Sequence, residues 1–447
     1  MKTYRVWADI DFDALTHNLT TIRREAGRGV RIMLVVKADA YGHGAVPIAH
    51  HAVRCGVAAL GVGTSAEALE LRQSGLRVPI LVLGTIVDDE APACLHHGVH
   101  LGLHSSDRLT VLEELGRRTR LTAHVHLNVD TGMGGLGVPP ARALELLRAV
   151  DAASHVQLAG IMTHIASPEG ALAPESTTQI DTFREVLAQA RQEGLARGWI
   201  HASNSAGIFT GLGSEFDTVR PGISAYGILP SRLARGRLRP VMSLRSQVVF
   251  LKDVPEGASV GYASTWRAPR PTRIATIPAG YNDGVAWRLS NRGHVLVRGR
   301  RAPIVGRVSM DYVTIDVGAI RDVQVGETVT LIGTDGGETV TVEELAERAG
   351  TIPYEITCSV GRRVTRLPHG GEELPIPSQP APAPSSAAPS SAERTALEDG
   401  SLPSTGSAAA QADLRAHPVP RGAPPARTLP DSPGQGPYPR GTRTRLA

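Results

Sequence analysis

At 447 residues the chain is too long for one compact unit, so two domains and a further segment are expected. A formal charge of +4, with no arginine stripe interleaved with aromatics, excludes a nucleic-acid footprint. Three scattered cysteines, Cys55, Cys94 and Cys358, lack metal-ligand spacing and read as free buried thiols of a reducing cytoplasm.

The opening MKTYRVWADIDFD puts acids where a secretion signal needs an apolar core, and no apolar run reaches bilayer length. A soluble cytoplasmic protein without a membrane partner is the expectation. The stretch VWADIDFDAL reads as a strand that turns helical at Asp13, and it is a candidate to pair with the second half of the chain.

From residue 30 to about 228, short apolar runs alternate with helical patterns. The runs are RIMLVVKA (31–38), AALGVG (58–63), PILVLG (79–84), VHLGLH (99–104), AHVHLNVD (123–130), VQLAGIMTHI (156–165), WIHASNS (199–205) and TVRPGISAYGI (218–228). Eight such strands, most separated by helices, predict a parallel (β/α)8 barrel over 1–235, with a doubly wound open sheet as the alternative.

The first run carries the most information. In VVKADAYGHG, Lys37 ends an apolar strand and is followed by small residues, Tyr41 and paired glycines. A cation at a buried strand end is costly to desolvate unless it has a partner or a task, and Schiff-base formation with a carbonyl is one such task. A lysine snorkelling to the surface is the plainer reading.

Function gathers at the C-terminal strand ends of a barrel. There the sequence places His164 after strand six, Asn204 and Ser205 after strand seven, and Arg220, Gly222 and Ile223 at strand eight. With Tyr41, a hydroxyl and free N–H groups beside a glycine turn can cradle a phosphate. Taken singly, His164 also reads as a core histidine, Arg220 as a structural ion-pair partner, and Asn204 and Ser205 as helix caps. Two patterns are set aside. TGMGGLG (131–137) has dinucleotide-loop spacing but no acid ending the next strand. His96, His97, His100 and His104 lack a carboxylate or cysteine to complete a metal site and read as a solvated helix end.

After about residue 236 the texture becomes alternating and glycine-broken, which predicts an antiparallel β domain over 236–370 with one helix from TVEELAERAG. Tyr262 (VGYASTW) and Tyr281 (IPAGYNDG) lie beside glycines in loops, and both also read as sheet aromatics. From 371 to 447 proline, alanine and serine dominate, and a disordered tail without chemistry is expected.

Together VVKADAYGHG, DTGMGGLG, MTHIA, SNSAG, RPGISAYG, VGYASTW, GYNDG, GRVSMD and TIPYE, in that order over residues 6–368, closely resemble the alanine racemase family. The resemblance implies a barrel plus β-domain fold, pyridoxal 5'-phosphate as cofactor, a homodimer with shared active sites, and D-alanine supply for peptidoglycan. It makes Lys37 the Schiff-base lysine and Tyr262 the second catalytic base, reaching the other subunit's cofactor. Tyr41, Asn204, Ser205, Gly222 and Ile223 fall where the family holds the phosphate. Arg220 falls opposite the pyridine nitrogen, with His164 behind it. Met310 matches the residue whose backbone N–H meets the substrate carboxylate, with Tyr281 and Asp311 lining the way in.

Three positions depart from the family pattern. Gly135 stands where an arginine usually orients the carboxylate, Asn128 where a carbamylated lysine often holds that arginine, and Arg362 where some members place a phosphate-contacting tyrosine. A racemase of altered or broad amino-acid specificity is therefore one alternative. A non-catalytic pyridoxal-phosphate carrier is another, although such proteins resemble the barrel alone.

Overall fold

A computed structural model describes residues 4–166, 173–228 and 236–371. The proline- and alanine-rich tail from 372, and the expected domain boundary at 235, lie outside the described residues.

Strand β1 (Val6–Asp11) buries Val6, Ala8 and Ile10 on one face. Its last residue caps the following helix, Phe12–Ala26: the Asp11 carboxylate accepts from Ala14 N–H at 2.9 Å. Leu15, Leu19 and Ile22 repeat at helical spacing and are fully buried, each contributing about 1.5–3 kcal/mol.

Eight short parallel strands then close a barrel: β2 (Arg31–Val35), β3 (Ala59–Val62), β4 (Ile80–Val82), β5 (His100–Leu103), β6 (Ala123–Asn128), β7 (Val156–Met162), β8 (Trp199–His201) and β9 (Thr218–Val219). Closure is made by β9 pairing β2, with Ile32 opposite Val219. The barrel excludes the open doubly wound sheet, and with it the dinucleotide reading of 131–137. That glycine loop instead wraps Asp130, whose Oδ1 accepts from Gly132 and Gly134 N–H at 3.1 and 3.0 Å.

The remaining strands pair antiparallel, except the last, which pairs parallel with β1: β10 (Met242–Gln247), β11 (Phe250–Val254), β12 (Ser259–Val260), β13 (Trp266–Arg267), β14 (Thr272–Ile277), β15 (His294–Val297), β16 (Arg300–Pro303), β17 (Val313–Asp316), β18 (Thr328–Asp335), β19 (Glu338–Val340) and β20 (Thr365–His369). One sheet runs β16-β15-β18-β10-β1-β20, with β19 against β18; a second runs β11-β14-β17. The N-terminal strand thus lies between strands from the far end of the chain, antiparallel to β10 and parallel to β20. The helix Val342–Ala349 starts at Thr341, whose hydroxyl accepts from Glu344 N–H at 3.1 Å.

Two sequence expectations need correction. Cys94 is buried, but Cys55 is only partly so and Cys358 is exposed. His100 does not belong to a solvated helix end: it is the first residue of β5, and its ring meets His126 inside the barrel. His104 follows the same strand and bonds the Gly84 carbonyl. The strand reading of VHLGLH was right, and alternation along a barrel strand turns its first imidazole inward, which the solvated reading of its histidines overlooks.

Candidate active site

Beyond β2 the chain does something unusual. Ala38, Asp39, Ala40 and Tyr41 all have φ between 53° and 55°, a single left-handed turn built without glycine. Such backbone costs roughly 1–2 kcal/mol per residue and persists only where the surroundings hold it. Glu67 is one support, accepting from Ala38 N–H at 2.7 Å with one oxygen and from Gly63 N–H at 2.7 Å with the other. Asp39 accepts from Ala45 N–H at 2.7 Å. The Arg366 guanidinium donates to the Gly42 carbonyl at 3.1 Å and to Gly361, Val364 and Val360 carbonyls at 2.7–2.8 Å. A Cβ on Gly42 would lie 2.1 Å from the Thr357 carbonyl oxygen, so the turn also needs glycine at its exit.

The turn delivers Lys37 and Tyr41 to a cavity of about 630 Å³ at the C-terminal mouth of the barrel. Lys37 is exposed to that space rather than desolvated, because the strand ends two residues earlier. All eight barrel residues singled out from the sequence (Lys37, Tyr41, His164, Asn204, Ser205, Arg220, Gly222 and Ile223) line this one cavity.

Its ends differ chemically. At one end Tyr41 is buried, and burial, with Tyr354 and Cys358 next, pushes its phenol well up, so it remains a protonated donor. A Cβ on Gly222 would fall 2.4 Å from the Tyr41 hydroxyl, so that approach requires glycine. Ser205 Oγ accepts from Gly222 N–H at 2.9 Å and Ser224 N–H at 3.2 Å. Asn204 Oδ1 accepts from Gly207 N–H at 3.0 Å while its amide donates to the Ile165 carbonyl at 3.1 Å. The cap reading of Asn204 is therefore correct, and it coexists with a place in the cavity wall.

Midway, Arg220 is 4% exposed. Its guanidinium donates to the Thr163 and Ala202 carbonyls at 2.8 and 3.0 Å, to His164 Nδ1 at 3.0 Å and to His201 Nδ1 at 2.8 Å. Burial lowers its pKa to about 10, so it stays charged at neutral pH. Burial first, then Arg220 and Lys37, push His164 down to about 3, leaving it neutral. On the third side, a Cβ on Gly135 would find nothing within 4 Å, and the Asn128 amide donates to the Leu136 carbonyl at 3.2 Å. Open space and a neutral amide occupy this wall.

The second-domain residues are gathered elsewhere. Arg363 holds the loops of Tyr281 and Met310 together, donating to buried Asp283 at 2.6 Å and pairing with Asp311 at 2.8 Å. Its hydrogen bonds to Asp283 and then to Asp311 raise its pKa further. Tyr262, Met310 and Tyr281 are 72%, 53% and 45% exposed, and with Asp311 they are absent from the wall of the barrel cavity. Arg362 is also exposed and away from that wall. The second-domain tyrosine that does line it, beside Tyr41, is Tyr354 in the TIPYE motif, with its ring 6.0 Å from that of Tyr41. The motif was visible in the sequence, but only tertiary packing reveals which of its side chains turns to the cavity.

A lysine on a strained strand end, a buried arginine facing the middle of the cavity and a hydroxyl-and-amide cradle form a donor set suited to an aldehyde-bearing heteroaromatic phosphate. Comparison with known proteins agrees. Residues 10–230 match the family described as alanine racemase, N-terminal domain, and residues 241–368 match alanine racemase, C-terminal domain. The chain is similar to the alanine racemase of Syntrophobacter fumaroxidans, 41% identical over 367 residues, covering 82% of this chain and 98% of that one. It is similar to the crystal structure of alanine racemase from Streptomyces lavendulae, with TM-score 0.78, 35% identity, and 83% and 98% of the two chains covered. It also resembles alanine racemase from Bartonella henselae with covalently bound pyridoxal phosphate, with TM-score 0.73, 31% identity, and 81% and 99% covered. Fold and cavity define the class, a barrel-and-β-domain isomerase of the pyridoxal-phosphate-dependent racemases. Within that class, the chain belongs to the alanine racemase family.

Proposed function

We propose that this protein interconverts L- and D-alanine with pyridoxal 5'-phosphate as cofactor, supplying D-alanine for peptidoglycan precursors in the cytoplasm. The observation that carries the reading is one cavity walled by Lys37, Arg220 with His164, and the Tyr41–Ser205–Gly222 cradle. The fit rests on the chemistry of these donors and on the 2.4 Å approach that only glycine at 222 permits.

When bound, the cofactor supplies an aldehyde for covalent capture of an amine and a conjugated ring that delocalises the electron pair left on deprotonation. The protein supplies the rest. Tyr41, Ser205 and Asn204, with the backbone of Gly222 and Ile223 and the newly identified Tyr354, would hold the phosphate end. Arg220 would face the ring nitrogen; a guanidinium only donates and keeps its charge, so it would disfavour a proton there and moderate electron withdrawal. His164, neutral, accepts from Arg220 and fixes its plane.

Racemisation moves a proton off one face of Cα and onto the other, so two bases must flank it. The Lys37 amine serves one face. The Tyr262 phenol serves the other, contributed by a second copy of the chain, as do Met310, whose backbone N–H meets the substrate carboxylate, and Tyr281 with Asp311 at the cavity mouth. The exposure of Tyr262, Met310 and Tyr281 in one chain supports a homodimer with shared sites. The barrel at 1–235 and the β domain at 236–370 are the working domains of this reading. Free cysteines suit a reducing compartment.

A chiral assay of the purified protein with added cofactor and L-alanine tests the proposal. D-alanine formation is expected; bound cofactor without exchange of any amino acid would instead mark a carrier. One observation favours a second reading: the empty space above Gly135 and the neutral Asn128 leave room for side chains larger than methyl. A panel of amino acids in the same assay separates the two.

A further inference from the structure

Beneath Arg220 the barrel interior holds a file of imidazoles that the two-base reaction does not use. His201 closes β8, His126 lies in β6 and His100 opens β5; His201 and His126 are 0% and 1% exposed. Arg220 Nη1 stands 2.8 Å from His201 Nδ1, His201 Nε2 stands 2.8 Å from His126 Nδ1, and His126 Nε2 stands 3.2 Å from His100 Nδ1. His100 is partly exposed at the opposite mouth of the barrel, stacked on His124 with ring centroids 5.2 Å apart.

One boundary condition orders the file. A guanidinium has donors and no acceptor, so His201 Nδ1 must accept and its proton must sit on Nε2. That N–H donates to His126 Nδ1, which places the His126 proton on Nε2, and the same argument carries to His100. Every ring is neutral, with its lone pair turned toward Arg220. Burial holds His126 and His201 well below the ordinary histidine range, and His100 at about 4, in keeping with neutrality. Arg220 has carbonyls and imidazoles as its hydrogen-bond partners, with no carboxylate among them within the described residues, so aligned dipoles solvate its buried charge.

We propose that His126 and His100 are positioning residues that act on Arg220 through His201, the file locking the tautomer that accepts from the guanidinium. Without an acceptor behind it, His201 is free to carry its proton on Nδ1. It would then meet Arg220 donor to donor and push the guanidinium off the cavity axis. The proposal rests on reading Arg220 as the group opposite the cofactor's ring nitrogen.

The test joins ring-nitrogen NMR of 15N-histidine holoenzyme with kinetics of His126→Phe, His126→Gln and His100→Phe. In the wild type the three rings are expected as neutral Nε2–H tautomers, and His126→Phe is expected to add the Nδ1–H form at His201. That variant should lose roughly ten- to a hundredfold in kcat with KM little changed, as supporting partners of functional groups typically do. His126→Gln, whose amide oxygen still accepts from His201, should recover most of the loss, and His100→Phe should fall between. A wild-type His201 protonated on Nδ1, or His126→Phe turning over like wild type, overturns the proposal. Should His126→Phe fail to fold, the wild-type tautomers and His100→Phe still decide it. The reading of the site fails separately, if the wild type retains cofactor yet racemises nothing, whatever the tautomers are.

Discussion

A missing methyl group shapes the anion end of the cavity. Gly222→Ala would drive a Cβ to 2.4 Å from the Tyr41 hydroxyl, and overpacking of this kind costs about 1–3 kcal/mol. Cofactor affinity, read by titrating the visible absorbance, should fall roughly ten- to a hundredfold; unchanged affinity would remove Tyr41 from the phosphate end. At the opposite wall Gly135→Arg would place a cation in open space beside the proposed substrate carboxylate. A charge-assisted hydrogen bond is worth about 1.5–3 kcal/mol, so KM for alanine should drop by about tenfold or more. A KM that rises or stays put would show that the wall has been rebuilt for another substrate. Tyr262→Phe should slow solvent-isotope exchange starting from one enantiomer far more than from the other, and equal slowing would deny the phenol its assigned face.

Order in the left-handed turn depends on what packs around it. From β20, Arg366 reaches the Gly42 carbonyl at the exit of the turn and three carbonyls of the loop before its own strand, and Arg366→Ala strands all four together. A loss of about 2–3 kcal/mol in urea unfolding is expected, with cofactor capture weakened in parallel; a variant as stable as the parent would mean that Glu67 and Asp39 suffice. None of this was legible in ADAY, because the residues carry no glycine and no left-handed preference; the conformation comes from partners dozens to hundreds of residues away. The barrel itself was legible, since parallel strands buried on both faces appear as unbroken apolar runs such as RIMLVV. So were Lys37, Arg220 and Ser205, which fall at strand ends. His100 was misread as solvated because a polar side chain inside a small barrel looks, along the chain, like a surface pattern, and His126 and His201 drew no reading at all. Tyr354 was passed over for Arg362 because only packing shows that the helix Pro353–Cys358, and not the turn after it, presents a side chain to the cavity.

For the homodimer proposed above, mixing offers a decisive measurement. Lys37→Ala and Tyr262→Phe homodimers should each be nearly inactive. After subunit exchange, half the dimers are mixed and each holds one intact site, so about a quarter of wild-type activity should return. No recovery would place both bases in one chain. Acid should unfold the protein in a defined window. Burial lowers His43 and His100 to about 4 and His164 to about 3, while unfolded histidines titrate near 6.5. The unfolded chain therefore binds more protons as pH drops through 6.5, so stability is full above that value and is lost toward pH 4. A urea midpoint flat across that interval would contradict the neutral interior. Truncation after residue 371 should leave turnover unchanged, measured side by side with the full chain. The placement of β1 between β10 and β20 has a temporal consequence. On the ribosome, the first strand emerges long before the last, and at roughly 5–20 residues per second the nascent chain carries an unmatched edge for on the order of half a minute. Chaperone demand during synthesis should therefore centre on this edge, and relocating β1 to the end of the chain by circular permutation should lessen it.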